Sequence, residues 1–310
     1  MDNFKLSVVS PIYRAEKIVN ELVNQIAAAS GTITENVEII LVDDYSPDNS
    51  WNEISTICAK NNQVKGIKLS KNYGQQMAIS AGLRYATGDI IIIMDGDLQN
   101  PPESIPVIAA EIKKGYDIVY TVSKTRNHWR DELTSKIFWY VINTLFKVGM
   151  IPNQLMMKGF NKKYLEAYNS YDERIRVVAG ITHDIGLKQT TIEVDNKRRT
   201  SGKGNYTFFK RFHLMLDIIL TMTNKPLNYL INISMLSVIV SVLVGIYTSI
   251  NYIIYPNVPP GYTTLLLFIS FFGSLTLLVL GIIGRYLSNI YIEVRNRPIF
   301  LVQQLINVNP

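Results

Sequence analysis

The sequence has little or nothing of three features that define common classes of protein: cysteine pairs, a glycine-rich turn and a secretory signal. Its 310 residues include a single cysteine, Cys58, so no disulfide can form within the chain, and a lone thiol is typical of a reducing compartment. A glycine-rich turn is also missing after the first apolar run, which leads instead into Pro11-Ile12-Tyr13. Without that turn, a dinucleotide-binding dehydrogenase is not expected. The N-terminal residues likewise lack the pattern of a secretory signal.

Charged residues and histidine are absent from Pro226 to Gly284. This stretch is long enough for two membrane crossings of about 20 residues each. Residues 251–262 contain three prolines and a glycine, which mark a break in it. The sequence therefore predicts two transmembrane helices within residues 226–287, near 227–250 and 263–287, joined by a short external loop.

Positive charge flanks the apolar stretch on both sides. Lysines and an arginine precede it between residues 203 and 225, and arginines follow it at 285, 295 and 297, whereas the loop carries no charge. Because positively charged flanks stay on the cytoplasmic side, both termini and the bulk of the chain are expected in the cytoplasm. The net charge of +6 and the sequence pI near 9.1 suit a surface that faces anionic lipid or phosphate groups.

Four regions are predicted along the chain. Residues 1–205 form a cytoplasmic domain, and 206–225 form an amphipathic juxtamembrane helix with aromatic and basic residues at the lipid–water boundary. Residues 226–287 hold the two spans. Residues 288–310 form a cytoplasmic C-terminal segment, for which two alternatives remain open: it returns along the membrane, or it contacts another subunit of a homo-oligomer.

Short apolar runs alternate with helical patterns from Leu6 to Asp97. Strand–helix alternation of this kind is typical of an α/β fold with a parallel, doubly wound sheet. Strands are predicted at 6–12, 37–42, 64–69 and 90–94, and helices at 16–29, 50–61 and 75–86. A further helix and strand, at 104–114 and 117–121, are less clearly marked.

Asp95 and Asp97 close the fourth predicted strand, whose four isoleucines and one methionine indicate burial on both faces. Open α/β sheets bind ligands at the carboxyl ends of their strands. Two carboxylates this close repel each other unless a cation lies between them, and Mg²⁺ or Mn²⁺ bridged to ligand phosphates is the natural occupant. A solvated turn is the alternative, but Pro101-Pro102 begins a new element directly afterwards. The sequence therefore favours a metal site that binds a nucleotide diphosphate.

Polar residues also follow the first three predicted strands. They are Pro11, Tyr13 and Glu16 after the first strand, Asp43 and Asp44 after the second, and Asn72-Tyr73-Gly74 after the third. Singly, such residues cap helices or form turns. Because the carboxyl ends of parallel strands meet at one edge of a sheet, together they predict a nucleotide pocket in which an aspartate accepts from a base or a ribose.

Four motifs of the chain occur together in one family of enzymes. They are Val8–Tyr13, Val42–Ser46, Asn72–Gly74 and Asp95–Glu103, the last of which reads Asp-Gly-Asp-Leu-Gln-Asn-Pro-Pro-Glu. On these motifs the chain resembles the family 2 glycosyltransferases that act on polyprenyl phosphates, such as dolichol-phosphate mannose synthases and bacterial undecaprenyl-phosphate enzymes. Weaker matches continue through the C-terminal half, so the likeness covers nearly the whole chain.

The resemblance implies a nucleotide-diphospho-sugar transferase domain of the GT-A, Rossmann-like type, followed by two transmembrane helices. It also implies Mg²⁺ or Mn²⁺ as cofactor, a nucleotide-sugar donor (UDP-linked by family expectation) and a polyprenyl phosphate acceptor, with inverting transfer of one sugar. The expected location is the cytoplasmic leaflet of a bacterial inner membrane, in the pathway of a cell-envelope glycan. No nucleic-acid partner is expected.

Residue roles are implied by the same resemblance. Nucleotide-sugar contacts are expected at Pro11, Tyr13, Glu16, Asp44, Asn72, Asp95 and Gly96. Metal ligands are expected at Asp95, Asp97 and Gln99, and catalytic contacts at Asp97, Arg126, Arg130 and Arg199. The arginines would meet oxygens of the lipid phosphate or of the sugar diphosphate, since a guanidinium matches phosphate with two hydrogen bonds. For Arg130 a local ion pair with Asp131 or Glu132 is the alternative, and for Arg199 general attraction to the bilayer.

Met156-Met157-Lys158 departs from the family pattern, since many relatives have Asp-Phe-Arg there. Two rival functions are weighed. A processive polysaccharide synthase usually carries a Gln-x-x-Arg-Trp motif and more spans, and Trp51, Trp129 and Trp139 lack that context. A non-catalytic membrane subunit would not need to keep a costly acidic cluster. Both rivals are therefore disfavoured.

Overall fold

Two compact units make up the chain. The computed structural model describes residues 4–98, 100–123, 138–147, 149, 151–171, 173, 181, 185–195, 219–220, 223–254 and 261–308. The first unit is made from Met1–Trp139, Gly149–Asn205 and Arg297–Pro310, and the second from Tyr140–Val148 and Tyr206–Asn296. The first unit therefore contains segments from both ends of the chain.

The first unit is built on a sheet of eight strands. They are β1 (Leu6–Ile12), β2 (Val37–Asp43), β3 (Val64–Leu69), β4 (Ile90–Ile93), β5 (Ile118–Ser123), β6 (Gln154–Asn161), β7 (Gln189–Val194) and β8 (Val302–Ile306). Their order is β7-β5-β6-β4-β1-β2-β3-β8. Strands β1 to β4 form a parallel block, whereas β6 and β8 run antiparallel to their neighbours. The predicted parallel sheet thus holds for the first four strands and gives way to a mixed sheet beyond them.

Helices cover both faces of this sheet. They are α1 (Val19–Gly31), α2 (Ser50–Lys60), α3 (Gln75–Tyr85), α4 (Ile105–Lys113), which a 3₁₀ turn at Pro102–Ser104 precedes, and α5 (Lys162–Ser170). One face packs against α1, α2 and α4, and the other against α3 and α5. In β4, alternate isoleucines enter opposite cores, because successive side chains of a strand point to opposite faces. The predicted burial of this strand on both faces is confirmed.

A buried ion-pair network closes the amino-terminal edge of the parallel block. Glu38 is only 2% exposed and accepts hydrogen bonds from the Ser7 hydroxyl and from the Thr87 backbone N–H (2.7 Å). Its carboxylate also lies 2.6 Å from Lys65 Nζ and 3.0 Å from Lys5 Nζ. Burial raises the pKa of Glu38, but these four partners outweigh it and lower the pKa to about 2. The network joins β1, β2 and β3 at the edge opposite to the predicted polar loops.

Replacing Glu38 with glutamine should destabilise the protein in a pH-dependent way. The native pKa lies below the ordinary value of 4.5, so the stabilisation is present above pH 4.5 and is lost as the pH falls toward 2. At neutral pH it amounts to roughly 3 kcal/mol. We expect the thermal midpoint of Glu38→Gln to lie several degrees below wild type at pH 7, and the two midpoints to converge in acid.

The control for this prediction is Glu111→Gln, which removes a surface ion pair with Lys114 and should change the midpoint little at either pH. A difference between wild type and Glu38→Gln that stays constant from pH 7 to pH 3 would contradict the prediction.

Two long helices, α6 (Lys225–Ile254) and α7 (Tyr262–Val294), dominate the second unit, which also contains a π-helical turn at Tyr140–Leu145. They overlap the two helices predicted from the apolar stretch. Many of their large apolar side chains are more than half exposed, as expected for a surface that faces lipid. Among the described residues, Phe271–Val294 has the length and composition of a membrane crossing. The described part of the chain thus supports one crossing where the sequence predicted two.

The C-terminal segment differs from its prediction. Val302–Ile306 forms β8, which pairs antiparallel with β3 within the first unit. The sequence suggested a path along the membrane or a contact with another subunit, because nothing in a five-residue run of mixed polarity identifies the strand it pairs with. The predicted juxtamembrane helix at 206–225 lies largely outside the described residues.

Candidate active site

A cleft of about 460 Å³ opens at the carboxyl ends of β1 to β4. The loops that follow all four strands contribute to its lining. The predicted site residues among the lining are Pro11, Tyr13, Asp44, Asn72, Asp95, Gly96 and Asp97. The structure therefore brings these side chains into one place, while their individual roles in binding remain predictions.

Asp44 connects the end of β2 to the loop that follows β3. One carboxylate oxygen accepts from the Tyr73 backbone N–H (2.7 Å) and the other from the Gly74 N–H (2.8 Å). The residue is 4% exposed, and its own N–H donates to Ile12 O at 3.0 Å. Burial raises the pKa of Asp44, and the two backbone hydrogen bonds oppose this shift. Asp44 thus holds two loops of the cleft together and still presents its remaining lone pairs to the cleft.

Asp95 and Asp97 both line the cleft just after β4. Asp95 Oδ1 accepts a hydrogen bond from Gln75 Nε2 (2.5 Å), and Oδ2 accepts one from Asn100 Nδ2 (3.2 Å). Burial and the negative charge of Asp97 raise the pKa of Asp95 to about 6, although the two amides and Lys158 lower it. Burial is the main cause of this shift and repulsion by Asp97 adds to it, and a cation bound between the two carboxylates would relieve that repulsion.

The side chains at this turn fit a divalent cation of the Mg²⁺ or Mn²⁺ type. Both candidate ligands, Asp95 and Asp97, are carboxylates, which these hard cations prefer. The described residues contain no cluster of three or more His, Cys, Asp or Glu side chains placed to hold a metal. Among the described residues, the candidate ligands are therefore these two carboxylates, and Mg²⁺ commonly takes its other ligands from water and ligand phosphates.

Lys158 is a buried cation near this acidic pair. It lies on β6 opposite Ile93 of β4 and is 3% exposed. Burial lowers the pKa of its ammonium group to about 8, and attraction to Asp95 opposes that shift. The sequence identified Met156-Met157-Lys158 only as a departure from the family pattern. The electrostatic partnership of Lys158 with Asp95 depends on the antiparallel pairing of β4 and β6, which no local pattern reveals.

The loop after β1 is attached to the loop after β2 by hydrogen bonds. The backbone N–H groups of residues 14 and 15 donate to Ser46 Oγ (3.2 Å) and Ser50 Oγ (2.9 Å). In return, Asn49 N–H donates to Glu16 Oε2 at 3.1 Å. Glu16 is not among the residues that line the cleft. The carboxylate of Glu16 accepts a hydrogen bond from the neighbouring loop, and the predicted nucleotide-sugar contact at Glu16 stays a prediction.

Arg14 is a lining residue that the sequence did not single out. Its guanidinium carbon lies 5.4 Å from the ring centroid of Tyr13. Within the lining formed by described residues, Arg14 is the one cation, and it shares the cleft with three carboxylates, those of Asp44, Asp95 and Asp97. Its position directly after Tyr13 in the first strand-end loop was the available signal in the sequence.

Gly96 allows the turn after β4 to approach β1. A Cβ atom at this position would lie 2.8 Å from both Pro11 O and Ile12 Cδ1, so any side chain would push the turn away.

Two residues in the loops of the cleft have strained backbones. Tyr45 (φ 57°) and Leu98 (φ 59°), which follow β2 and β4, adopt left-handed conformations. Strain of this kind is frequently stored at functional sites.

Four predicted site residues lie outside the described residues: Gln99, Arg126, Arg130 and Arg199. The metal contact expected of the glutamine and the phosphate contacts expected of the arginines stay predictions.

The residues that line the cleft lie within a stretch of the chain that matches a known protein family. Residues 7–179, which include every described residue of the cleft, match the family model of Glycosyl transferase family 2. The chain belongs to this family and is a glycosyltransferase.

Curated relatives match this chain over nearly its whole length. The undecaprenyl-phosphate 4-deoxy-4-formamido-L-arabinose transferase of Shewanella sediminis is 33% identical over 314 residues, which cover 97% of this chain and 92% of the relative. An uncharacterised glycosyltransferase of Synechocystis sp. is 31% identical over 303 residues, covering 97% and 95%. The likeness to both extends through the helical unit as well as the catalytic one.

A solved structure is similar in fold to most of the chain. The mannosyltransferase PcManGT from Pyrobaculum calidifontis, in complex with GDP-Man and Mn²⁺, superposes with a TM-score of 0.51 at 16% sequence identity, covering 71% of this chain and 64% of that one. At this identity the likeness shows the fold alone. It confirms the predicted GT-A type of α/β domain, here with a mixed sheet.

Proposed function

We propose that this glycosyltransferase transfers one sugar from a nucleotide-sugar, UDP-linked, to the phosphate of a polyprenyl lipid. The observation that carries the proposal is the convergence of Asp44, Asp95 and Asp97 in one cleft at the carboxyl ends of the parallel strands. Ligands of open α/β sheets bind at that edge. Support for the acceptor comes from relatives of nearly full length whose names describe undecaprenyl-phosphate transferases.

The donor would lie along the cleft from Asp44 to the turn after β4. Asp44 accepts from nucleoside hydroxyl or imide groups with the lone pairs that its two backbone hydrogen bonds leave free. Asp95 and Asp97 would hold Mg²⁺ or Mn²⁺, which would supply positive charge to stabilise the leaving nucleoside diphosphate. A neighbour of the same fold that was solved with GDP-Man and Mn²⁺ is consistent with this division of the cleft.

A phosphate monoester acceptor needs little activation by the protein. Its second pKa is about 6, so it is largely a dianion, and already nucleophilic, at cytoplasmic pH. The cleft residues therefore act by holding the donor in line with the acceptor and not by removing a proton. A bond forms between the lipid phosphate oxygen and the anomeric carbon while the bond to the diphosphate breaks on the opposite side. This single displacement inverts the anomeric carbon.

We place the reaction at the cytoplasmic face of a bacterial inner membrane. The crossing at Phe271–Val294 is supported by its length and composition, and the sequence of α6 after Lys225, which has no charged residue, suits a second one. An even number of crossings is also consistent with the fold, because β1–β7 precede the two helices and β8 follows them in the same sheet. Positive charge at both flanks favours the cytoplasmic side for that sheet.

The rival functions are less well supported by the same observations. A processive synthase would need room in the membrane for a growing polymer, and the chain offers at most two long apolar helices within its described residues. A non-catalytic subunit has no need for two neighbouring carboxylates, Asp95 and Asp97, in an open cleft.

The test offers the purified protein, in lipid nanodiscs, a panel of nucleotide-sugars with polyprenyl phosphate and either Mg²⁺, Mn²⁺ or a chelator. We expect one donor to yield a lipid-linked monosaccharide, identified by mass spectrometry, with inverted anomeric configuration and no product in chelator. A polymeric product would favour the processive rival. Absence of transfer from every donor, with the protein folded and the cation present, would refute the proposal.

Replacing Arg14 with alanine should weaken binding of the donor at its diphosphate. A guanidinium that shares the cleft with three carboxylates is suited to a polyanionic ligand, and a charge-assisted contact of this kind is worth about tenfold in affinity. We expect Arg14→Ala to raise the Kd of UDP about tenfold and that of uridine less than about twofold, measured by calorimetry. Arg84→Ala, an exposed arginine at the end of α3, is the control. An equal loss for UDP and uridine would assign the contact to the nucleoside.

A further inference from the structure

β8 closes the sheet edge beside one of the loops of the cleft. It pairs antiparallel with β3, and the final pair joins Leu69 to Val302. The ladder continues one residue further, where Ser70 N–H donates to Leu301 O at 2.9 Å. Asn72, which lines the cleft, follows two residues later. The C-terminal strand thus contacts the start of the loop from Ser70 to Gly74, which lines part of the cleft.

The same loop depends on the C-terminal residues for its packing. The Tyr73 and Gly74 N–H groups are the two donors to the Asp44 carboxylate. The side chain of Tyr73 packs against the same apolar core as Phe300 and Val302. The loop is therefore held by Asp44 through hydrogen bonds and, through Ser70 and this shared core, by the C-terminal segment.

Asn307 fastens the far end of the segment. Its Nδ2 donates to Cys58 O (2.8 Å), in the last turn of α2, and to Val64 O (2.9 Å), at the start of β3. The last carbonyls of a helix have no partner within the helix, so this amide satisfies one of them. The φ of Asn307 is 57°, a left-handed conformation that asparagine adopts more readily than most residues. The segment is thus anchored at both ends of its strand.

We propose that residues 297–308 are a positioning segment of the donor site. They hold the loop from Ser70 to Gly74 in the conformation that binds the nucleotide-sugar. None of these residues lines the cleft, so the segment acts through the loop and not through contact with the donor. The inference rests on the proposed function, which makes this cleft the donor site.

The physical basis is the cost of ordering a loop on binding. Without β8, β3 becomes an edge strand whose outward N–H and C=O groups lose their partners, and the loop loses the hydrogen bond at Ser70 and part of the core around Tyr73. A loop released in this way must be ordered when the donor binds, which lowers affinity without changing the reacting groups. The segment directly follows α7, so the same stretch of chain leads out of the helical unit and supports the donor loop.

The test compares the full chain with a variant that ends at Asn296, both in nanodiscs, with and without a synthetic peptide of residues 297–310. We expect the truncation to raise the donor KM about tenfold while kcat changes less than about threefold. Adding the peptide should restore the KM, because a strand can bind an open sheet edge in trans. Hydrogen exchange should become faster at the Ser70 and Tyr73 amides and stay unchanged in β1.

Two point variants keep the test decisive if the truncated protein does not fold. Asn307→Ala retains the strand but releases its end, and we expect a donor KM about threefold higher. Gln303→Ala, exposed on the same strand, should match wild type. An unchanged KM in the folded truncation or, if that protein does not fold, in Asn307→Ala would overturn the inference. Failure of the proposed function would be seen separately, as absence of transfer by the full chain.

Discussion

Replacing Asp97 with alanine is expected to lower sugar transfer by at least about a thousandfold, because preorganised charge at the leaving group is usually the largest catalytic contribution. Asp97 faces the cleft and is one of two carboxylates available to a divalent cation there. Its removal also relieves the repulsion that raises the pKa of Asp95. The folded protein should therefore lose activity without losing stability or membrane insertion.

The effect of Asp97→Ala is measured as initial rate of lipid-linked sugar formation over a range of Mn²⁺ concentrations, together with Mn²⁺ binding and the thermal midpoint. Glu111→Ala, in a surface ion pair on α4, is the matched acidic control and should retain full activity. Turnover within tenfold of wild type in a folded Asp97→Ala protein would remove this residue from the site.

Asp44→Ala should have the second largest effect, on donor binding and on stability together. The carboxylate is the acceptor for two backbone N–H groups, those of Tyr73 and Gly74. Each partly buried donor left unpaired costs roughly 1–3 kcal/mol. Because the loop between β3 and α3 loses its partner and the nucleoside loses a polar contact, we expect the donor KM to rise at least about a hundredfold. The thermal midpoint should fall by several degrees.

Asp44→Asn separates the two effects. Its amide carbonyl still accepts from one of the two backbone N–H groups, so stability should be partly recovered, whereas recognition of the nucleoside by a carboxylate is lost. Glu21→Gln, an exposed substitution on α1, is the control for a change of charge. Donor KM values that recover fully in Asp44→Asn would show that the carboxylate only braces the loop and does not contact the nucleotide.

Local patterns in the sequence were sufficient for the framework of the first unit. The four isoleucines of β4 do not alternate with polar residues, a pattern that is typical of a strand covered on both faces of the sheet. Strand and helix periodicities up to residue 97 depend on near neighbours, so their bounds could be predicted closely. The acidic turn after β4 followed from the same pattern, because a parallel strand that ends in two carboxylates places them at the ligand-binding edge.

Other features depend on partners that are distant in sequence. Glu16 and Arg14 lie in one loop, yet the carboxylate faces Asn49 while the guanidinium carbon lies close to the ring of Tyr13 and the residue lines the cleft. The orientation of the Glu16 carboxylate depends on the neighbouring loop, where the Asn49 N–H group donates a hydrogen bond to it. Lys158 becomes relevant to Asp95 only because β6 runs antiparallel beside β4. No periodicity within either segment encodes this order.

The sequence by itself determined the family, the alternation of strands and helices, the apolar helices and the acidic turn, since each is written in residues that lie close together along the chain. Only the tertiary structure decided that the sheet is mixed, that a buried lysine lies near the acidic pair, and that the last strand pairs with β3 beside a loop of the cleft. These depend on hydrogen bonds and charges between segments up to 249 residues apart, and such pairings are selected by the packing of the whole domain.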